Sequence, residues 1–340
     1  MNPILAADIE QFVANFPFRH DLRNKHVLIT GGTGLIGSTL IHCLLALNEN
    51  ICITAPVRNK EKMNTLFGQL CNSINIIECD LNIFDFSSIG QTDFIFHCAA
   101  PTASSYFVSH PVETALSIIN ITDHLLLYAR NHAIKGMVYL SSLEVYGSGL
   151  DDCLVTEDMQ GYWDTQDVRS SYPIAKRAAE SLCHLYSEEY AVPVKIARLT
   201  QTTGPGIDKN DNRIINQFTR LAALQQNIVL HSTGESSRPY CYTIDCISAL
   251  LYILFRGNSG EAYNVANKET YISAKGLAKY IQVHFAPKMQ IIYDINENMG
   301  YAPVSKLNLS TKKLEDLRWT PQYDLHHIIE NLIISFKQQL

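Results

Sequence analysis

Between residues 26 and 200, short apolar runs alternate with longer stretches whose apolar positions recur every three or four residues. Residues 26–30 (HVLIT), 51–57, 74–78, 94–98 (FIFHC), 137–141 (MVYLS) and 193–199 (PVKIARL) read as strands. Helical spacing fills most of the gaps, from the glycines after Thr30 through Leu47, over 112–132 and over 173–190. Strands that are apolar on both faces and separated by helices predict a parallel sheet covered on both sides. The expected fold class is α/β, a doubly wound parallel sheet with a smaller C-terminal lobe.

After Leu199 the texture changes. Residues 203–213 are a loop rich in Gly, Asp and Asn, followed by a helix near 213–226, a strand near 227–231 and a turn at Gly234. The expected organisation is an N-terminal helical extension over 1–23, a dinucleotide-binding domain over 24–200 and a mainly substrate-binding lobe over 201–340. A return segment near 240–266 is expected to rejoin the large domain. Ile4, Leu5, Ile9, Phe12 and Val13 give the extension an amphipathic helical stripe, and its charged residues do not suit a secretion signal.

Composition narrows the classes. At 340 residues and 46% hydrophobic the chain can bury a large core, and its net charge of -6 lacks the basic field of a nucleic-acid binder. No apolar run is long enough to span a bilayer. The nine cysteines are scattered without zinc-ligand spacing, so no metal site is expected, and they read as reduced thiols of a cytoplasmic protein. Cys98 and Cys183 read as apolar filler rather than reactive thiols.

Residues 30–37 spell TGGTGLIG between a strand and a helix. Gly31, Gly34 and Gly37 allow a sharp turn and close backbone approach, with Thr33, Leu35 and Ile36 between them. The helix start then offers free N–H groups to a pyrophosphate, so the expected ligand is a dinucleotide and the sheet is of the Rossmann type. Tyr172 and Lys176, in YPIAK, are one helical turn apart on one face. A phenol titrates near ~10, too high for acid–base work at neutral pH unless positive charge lies nearby.

These motifs, with DFIFHCAA (93–100) and SSLEVYG (141–147) in the same order, resemble the extended short-chain dehydrogenase/reductases. The resemblance runs from about Lys25 to Phe336. It is nearest to the NAD-dependent epimerase/dehydratase group, especially UDP-glucuronate decarboxylases and dTDP-glucose dehydratases. It implies Tyr172 as acid/base, Lys176 as its electrostatic partner and ribose ligand, Ser142 as substrate hydrogen-bond partner and Asn120 as a structural, water-relaying residue. It places Asp80 at the adenine, with Leu81 beside it, and Ala99 and Ala100 under the cofactor. Asp80 also reads as a local cap. Val57 stands where NAD-specific members carry a ribose-binding acid, and the adjacent Arg58 suits either a 2′-phosphate or stacking on adenine, so NAD and NADP both stay open.

RSSYPIAKRAAESLC (169–183) looks like the decarboxylase helix. RLTQTTGPG (198–206) resembles the family's segment near the diphosphate, with Gln201 in place of its usual Asn, and GESSRPYCYTIDC (234–246) has Arg238 where the family has an arginine at the substrate phosphates. The family oxidises a sugar at C4 before inverting, eliminating or decarboxylating. Dehydratases resemble S-T-D-E where this chain has Ser141-Ser142-Leu143-Glu144, and Leu143 cannot transfer a proton. Epimerisation or decarboxylation is therefore favoured over dehydration, with Glu144 either a participant or a structural partner. The alternatives are an NADPH-dependent reductase of a nucleotide-linked keto sugar or polyol and, more remotely, a non-catalytic dinucleotide-binding regulator. The implied partners are a nucleotide sugar and a second copy of the chain.

Overall fold

The computed structural model describes residues 1–151, 153–295 and 304–339, so residues 296–303 of the expected C-terminal lobe lie outside the described residues. The first five strands are β1 (His26–Thr30), β2 (Cys52–Val57), β3 (Ile74–Glu78), β4 (Phe94–His97) and β5 (Gly136–Ser142). Then follow β6 (Leu154–Val155), β7 (Val194–Leu199), β8 (Gln201–Thr203), β9 (Ile228–Leu230), β10 (Ser237–Tyr242) and β11 (Ala262–Val265). The last three are β12 (Asn267–Ser273), β13 (Ile291–Tyr293) and β14 (Asn308–Leu309).

Seven strands form one sheet in the order β11-β7-β5-β4-β1-β2-β3, and every pairing in it is parallel. The chain builds outward from β1 to β3, then crosses back to place β4 on the other side of β1. A sheet whose order reverses in this way opens a crevice beyond the carboxyl ends of its strands. The last strand, β11, comes from residues 262–265 and completes the edge beside β7.

Strand pleating divides the apolar residues between two cores. Val27 and Ile29 pack in the core on the side of α1 (Pro3–Asn15) and α2 (Leu35–Ala46). Leu28 and Ile95 pack in the core containing residues of α5 (Pro111–Asn131) and α6 (Ser171–Tyr190). Two further α-helices precede β5, α3 (Lys60–Phe67) and the short α4 (Ser104–Ser109). Each fully buried Val, Leu, Ile or Phe on these faces contributes about 1.5–3 kcal/mol of transfer free energy.

Beyond β7 the chain turns straight into β8, which pairs in parallel with β10. With β12 antiparallel to β10, these make a three-stranded sheet at the carboxyl end of the large one. Around it lie α7 (Ile214–Ala223), α8 (Thr243–Arg256), α9 (Ala274–His284), α10 (Lys312–Asp316) and α11 (Leu325–Lys337).

The extension docks firmly. Asn2 caps α1 through the Ile4 amide at 2.9 Å, and Leu5, Ile9 and Phe12 are buried. Asp8, also buried, accepts hydrogen bonds from the Tyr242 hydroxyl at 2.7 Å and the Tyr323 hydroxyl at 3.0 Å. Burial raises its carboxyl above the usual range, against the lowering effect of the two tyrosines.

Candidate active site

The glycine turn joins β1 to α2. Gly31 has φ +72°, and a β-carbon there would stand 2.8 Å from the Ala99 nitrogen and the Cys98 carbonyl carbon. A β-carbon on Gly37 would meet the Gly31 oxygen at 2.3 Å. Only glycine lets these three segments approach so closely. Gly34 begins α2 without a side-chain cap, so the amides of Leu35, Ile36 and Gly37 have no partner within the helix. This cradle fits a dinucleotide pyrophosphate, with Thr33 half-buried in the turn.

A small network fixes the floor of the cradle. The Thr30 hydroxyl lies 2.8 Å from His97 Nδ1 and accepts the Ala99 amide at 3.2 Å, while His97 Nε2 lies 3.3 Å from the Thr122 hydroxyl. Burial pushes the His97 imidazole down to about 3, so it stays neutral. Ala99 and Ala100 are half-buried beside it, and the Cys98 thiol is pushed up by burial. Leu81 is buried in the α5–α6 core.

At the adenine end, Val57 is buried and Arg58 is exposed. Asp80 is exposed and accepts both the Asn82 amide at 3.0 Å and the Asn82 side chain at 2.8 Å. Those bonds, and then the Arg58 guanidinium, hold its carboxyl below the usual range. Asp80 therefore braces its own turn while facing Arg58.

Three of the expected catalytic residues meet at the carboxyl end of β5. Ser142 ends the strand and its hydroxyl accepts the Glu144 amide at 3.2 Å. Tyr172 is in the first turn of α6, where Pro173 is tolerated, and its ring stacks on Phe107 at 4.3 Å and 5°. Burial, and then the Glu144 carboxylate, raise the Tyr172 phenol above its ordinary value, and a hydrogen bond with Ser142 opposes them. Lys176 is buried and donates to the Leu140 carbonyl at 2.6 Å. Burial pushes its ammonium down to about 8. The rise of the Tyr172 phenol is thus led by burial, with Glu144 adding to it. Lys176 is turned toward Leu140, 5.9 Å from the centre of the Tyr172 ring, and a carboxylate faces the phenol instead.

Glu144 faces Tyr172 and two arginines from separate elements. Burial raises its carboxyl above the usual range, while Arg238 and Arg169 act to lower it. Arg238 comes from β10 and Arg169 from the turn just before α6, and among the described residues neither guanidinium makes a hydrogen bond or ion pair. Gln201 opens β8 opposite Tyr240, and its side-chain oxygen is buried without a partner. Leu143 points into a separate apolar cluster with Val145, Tyr146 and Leu309.

Asn120 is not brought to this group. It lies on the exposed face of α5 and, among the described residues, its side chain makes no hydrogen bond, because the helix turns Ile118, Ile121 and Thr122 inward instead. Three contributors were not evident from motifs alone: Arg169, Phe107 and the Thr30–His97–Thr122 network. Arg169 stands in the RSSY string, but no local pattern tells that it faces Glu144. A further brace is Arg198, whose guanidinium grips Glu180 at 2.7 Å and lies 3.1 Å from the Tyr146 hydroxyl. Among the described residues no three His, Cys, Asp or Glu side chains are grouped to hold a metal ion, and no helix is long and apolar enough to cross a membrane.

Residues 27–266, which hold the glycine cradle and the Ser–Tyr–Lys group, match the NAD dependent epimerase/dehydratase family. The chain belongs to that family. This family member is 26% identical over 323 residues to UDP-glucuronic acid decarboxylase 6 of Arabidopsis thaliana, covering 93% of this chain and 90% of the relative. In fold it is similar to the UDP-glucose 4-epimerase of Thermotoga maritima solved with UDP-glucose, at TM-score 0.80 and 20% identity, covering 92% of this chain and 99% of that one. It is also similar to RMD of Pseudomonas aeruginosa complexed with NADPH, at TM-score 0.75 and 21% identity, covering 93% and 100%.

Proposed function

We propose that this family member oxidises the sugar of a nucleotide sugar at C4 and then decarboxylates or epimerises it. The observation that carries the reading is the meeting of Ser142, Tyr172 and Glu144, with the guanidiniums of Arg169 and Arg238 acting on Glu144 and, among the described residues, holding no hydrogen bond or ion pair. The glycine cradle and the α2 amides would hold the dinucleotide, Lys176 its ribose. When bound, the nicotinamide accepts a hydride and can return it. Ser142 would hold the sugar 4-hydroxyl and Tyr172 would take its proton. The positive charge of a bound nicotinamide would favour the phenolate, which the free site disfavours. A ketone at C4 then lets a C5 carboxylate leave as carbon dioxide, its electron pair passing onto the C4 oxygen, or lets the hydride return on the other face. Arg238, with Gln201, would meet the diphosphate.

Dehydration is disfavoured because the position that would supply its acid is Leu143, turned into an apolar cluster. The similarity to a UDP-glucuronic acid decarboxylase supports decarboxylation. A second reading, NADPH-dependent reduction of a nucleotide-linked keto sugar or polyol, is favoured by exposed Arg58 beyond β2. The exposed apolar residues Val112, Leu116 and Leu127 of α5 and Leu185 of α6 support a homodimer through these helices. The nine free thiols suit a reducing cytoplasm.

The test is to identify any retained dinucleotide by mass spectrometry, screen nucleotide sugars by NMR, and compare Tyr172→Phe on the substrate found. The variant should keep the fold and the dinucleotide and lose turnover by at least ~10². Turnover within a few-fold of wild type would remove Tyr172 from the reaction.

A further inference from the structure

Lys176 has an unusual setting for an ammonium. It is 3% exposed, and among the described residues the one hydrogen bond of its ammonium runs to the Leu140 carbonyl at 2.6 Å. An ammonium carries three protons, so two are left without a partner in the free protein. Burial opposes its charge. The question is what nearby group favours it.

The surroundings leave few choices. On α6, Glu180 lies one turn further along and its charge favours the ammonium, but its carboxylate is held by Arg198 through Nη2 at 2.7 Å and Nε at 3.1 Å, so it does not fix the ammonium in place. Cys183 on the same helix and Cys98 after β4 are thiols pushed up by burial, so they carry no negative charge. His97 on β4 is held neutral between Thr30 and Thr122. Tyr172 is itself a protonated phenol in the free protein. On β5, the ammonium lies 4.7 Å from the centre of the Tyr139 ring, closer than to the ring of Tyr172.

Tyr139 is 1% exposed, three residues before Ser142 on the same strand, and it also packs on His97 at 5.5 Å. Its hydroxyl faces Thr122 yet makes no hydrogen bond of normal geometry. Thr122 gives its own proton to the Ile118 carbonyl at 2.7 Å. A buried hydroxyl without a partner is costly, so the hydroxyl does not account for an aromatic residue here. The ring face does: an aromatic quadrupole attracts a cation within about 6 Å, and more strongly where water is excluded.

We propose that Tyr139 is a positioning residue for Lys176, its ring holding the ammonium protonated and in place between the Leu140 carbonyl and Tyr172. The proposal rests on the reading of Tyr172 and Lys176 as the acid–base pair. What is required of residue 139 is a π face, and its hydroxyl is dispensable.

The test compares wild type with Tyr139→Phe, Tyr139→Leu and Tyr139→Met, the last as a flexible filler should the leucine variant not fold. The Lys176 side chain is titrated by NMR in isotopically labelled protein, its signal assigned with Lys176→Met. Turnover of UDP-glucuronate is followed against pH in parallel. The phenylalanine variant should titrate as wild type and melt no lower, since it loses only an unpartnered hydroxyl. The leucine and methionine variants should show the ammonium titrating about half a unit to one and a half units lower, the span of a cation–π contact from exposed to desolvated. An unmoved Lys176 in both aliphatic variants, or an equal shift in the phenylalanine variant, would overturn the proposal. A lowered titration with an unchanged pH profile of turnover would leave Tyr139's role standing and would instead overturn the acid–base assignment on which it rests.

Discussion

Two glycines three residues apart make opposite demands on alanine, and the contrast tests the dinucleotide cradle. At Gly37 a β-carbon would lie 2.3 Å from the Gly31 oxygen and 2.9 Å from its carbonyl carbon. Both are backbone atoms that cannot swing aside, so α2 must shift away from the turn. Overpacking of this kind costs about 1–3 kcal/mol, and the better helix propensity of alanine offsets up to about 1 kcal/mol. A net loss of about 1–2 kcal/mol remains. With an unfolding entropy of about 2.1 cal/mol/K per residue, the 340-residue chain loses about 0.7 kcal/mol per degree near its midpoint, so Gly37→Ala should melt about 1.5–3 °C lower. At Gly34 a β-carbon meets only the Gly31 oxygen, at 3.4 Å, and the backbone (φ -84°, ψ 167°) is one any residue adopts. Gly34→Ala should therefore melt as wild type in the absence of ligand. It should nonetheless bind NAD(H) or NADP(H) at least ~10-fold more weakly, about 1.4 kcal/mol, because its methyl stands where a pyrophosphate approaches the α2 amides. Differential scanning fluorimetry and calorimetric titration read the two effects separately. Unchanged dinucleotide affinity in Gly34→Ala would remove the pyrophosphate from this turn. An unchanged melting point in Gly37→Ala would refute the close approach of α2 to Gly31.

Other outcomes follow from the same geometry. If Arg58 reads a 2′-phosphate, Arg58→Ala should weaken NADP(H) by about 1.5–3 kcal/mol and spare NAD(H); equal small losses in a binding titration would make it a stacking or idle residue. Arg238→Ala should raise the KM for a nucleotide sugar at least ~10-fold with little effect on the dinucleotide, and Arg238→Lys should recover only part, since an ammonium lacks the planar fork. Unchanged UDP affinity would contradict its place at the diphosphate. Burial raises the Asp245 carboxyl to about 7, well above its unfolded value near ~3.9. The unfolded chain releases this proton first, so stability should fall by up to about 1.4 kcal/mol per pH unit between pH ~4 and about 7, then level off. Denaturant midpoints of wild type against Asp245→Asn across that range should isolate the slope, and parallel curves would show that Asp245 does not titrate on unfolding.

The parts of the site legible in the sequence are those set by local backbone rules. Gly31 needs positive φ and Gly37 needs the absence of a β-carbon, so a short string records the turn. Strand endings were readable because apolar runs stop where the buried sheet stops, and Ser142 falls at such an end. What linear patterns do not carry is which of several exposed or half-buried charges share a cleft. Arg169 acts on Glu144 from a separate turn before α6, an approach set by tertiary packing rather than by any local pattern. Asn120 sits in a helix whose inward face is set by Ile118 and Ile121, and a match of position says nothing of that rotation. Asp8 finds Tyr242 and Tyr323 across more than two hundred residues of chain. The free-state rise of the Tyr172 phenol depends on Glu144 and burial together, which no spacing reveals.

The docking of α1 has a consequence for how the protein is made. Asp8 and Tyr323 are 315 residues apart, and Asn2 donates to Ser335 from 333 residues away. At roughly 5–20 residues per second of synthesis, α1 waits roughly 15–60 s for Tyr323 to be made. During that interval Leu5, Ile9 and Phe12 have no complete surface to cover them. α1 is thus made well before it can be seated, and the nascent chain carries an adhesive apolar stripe until α11 emerges.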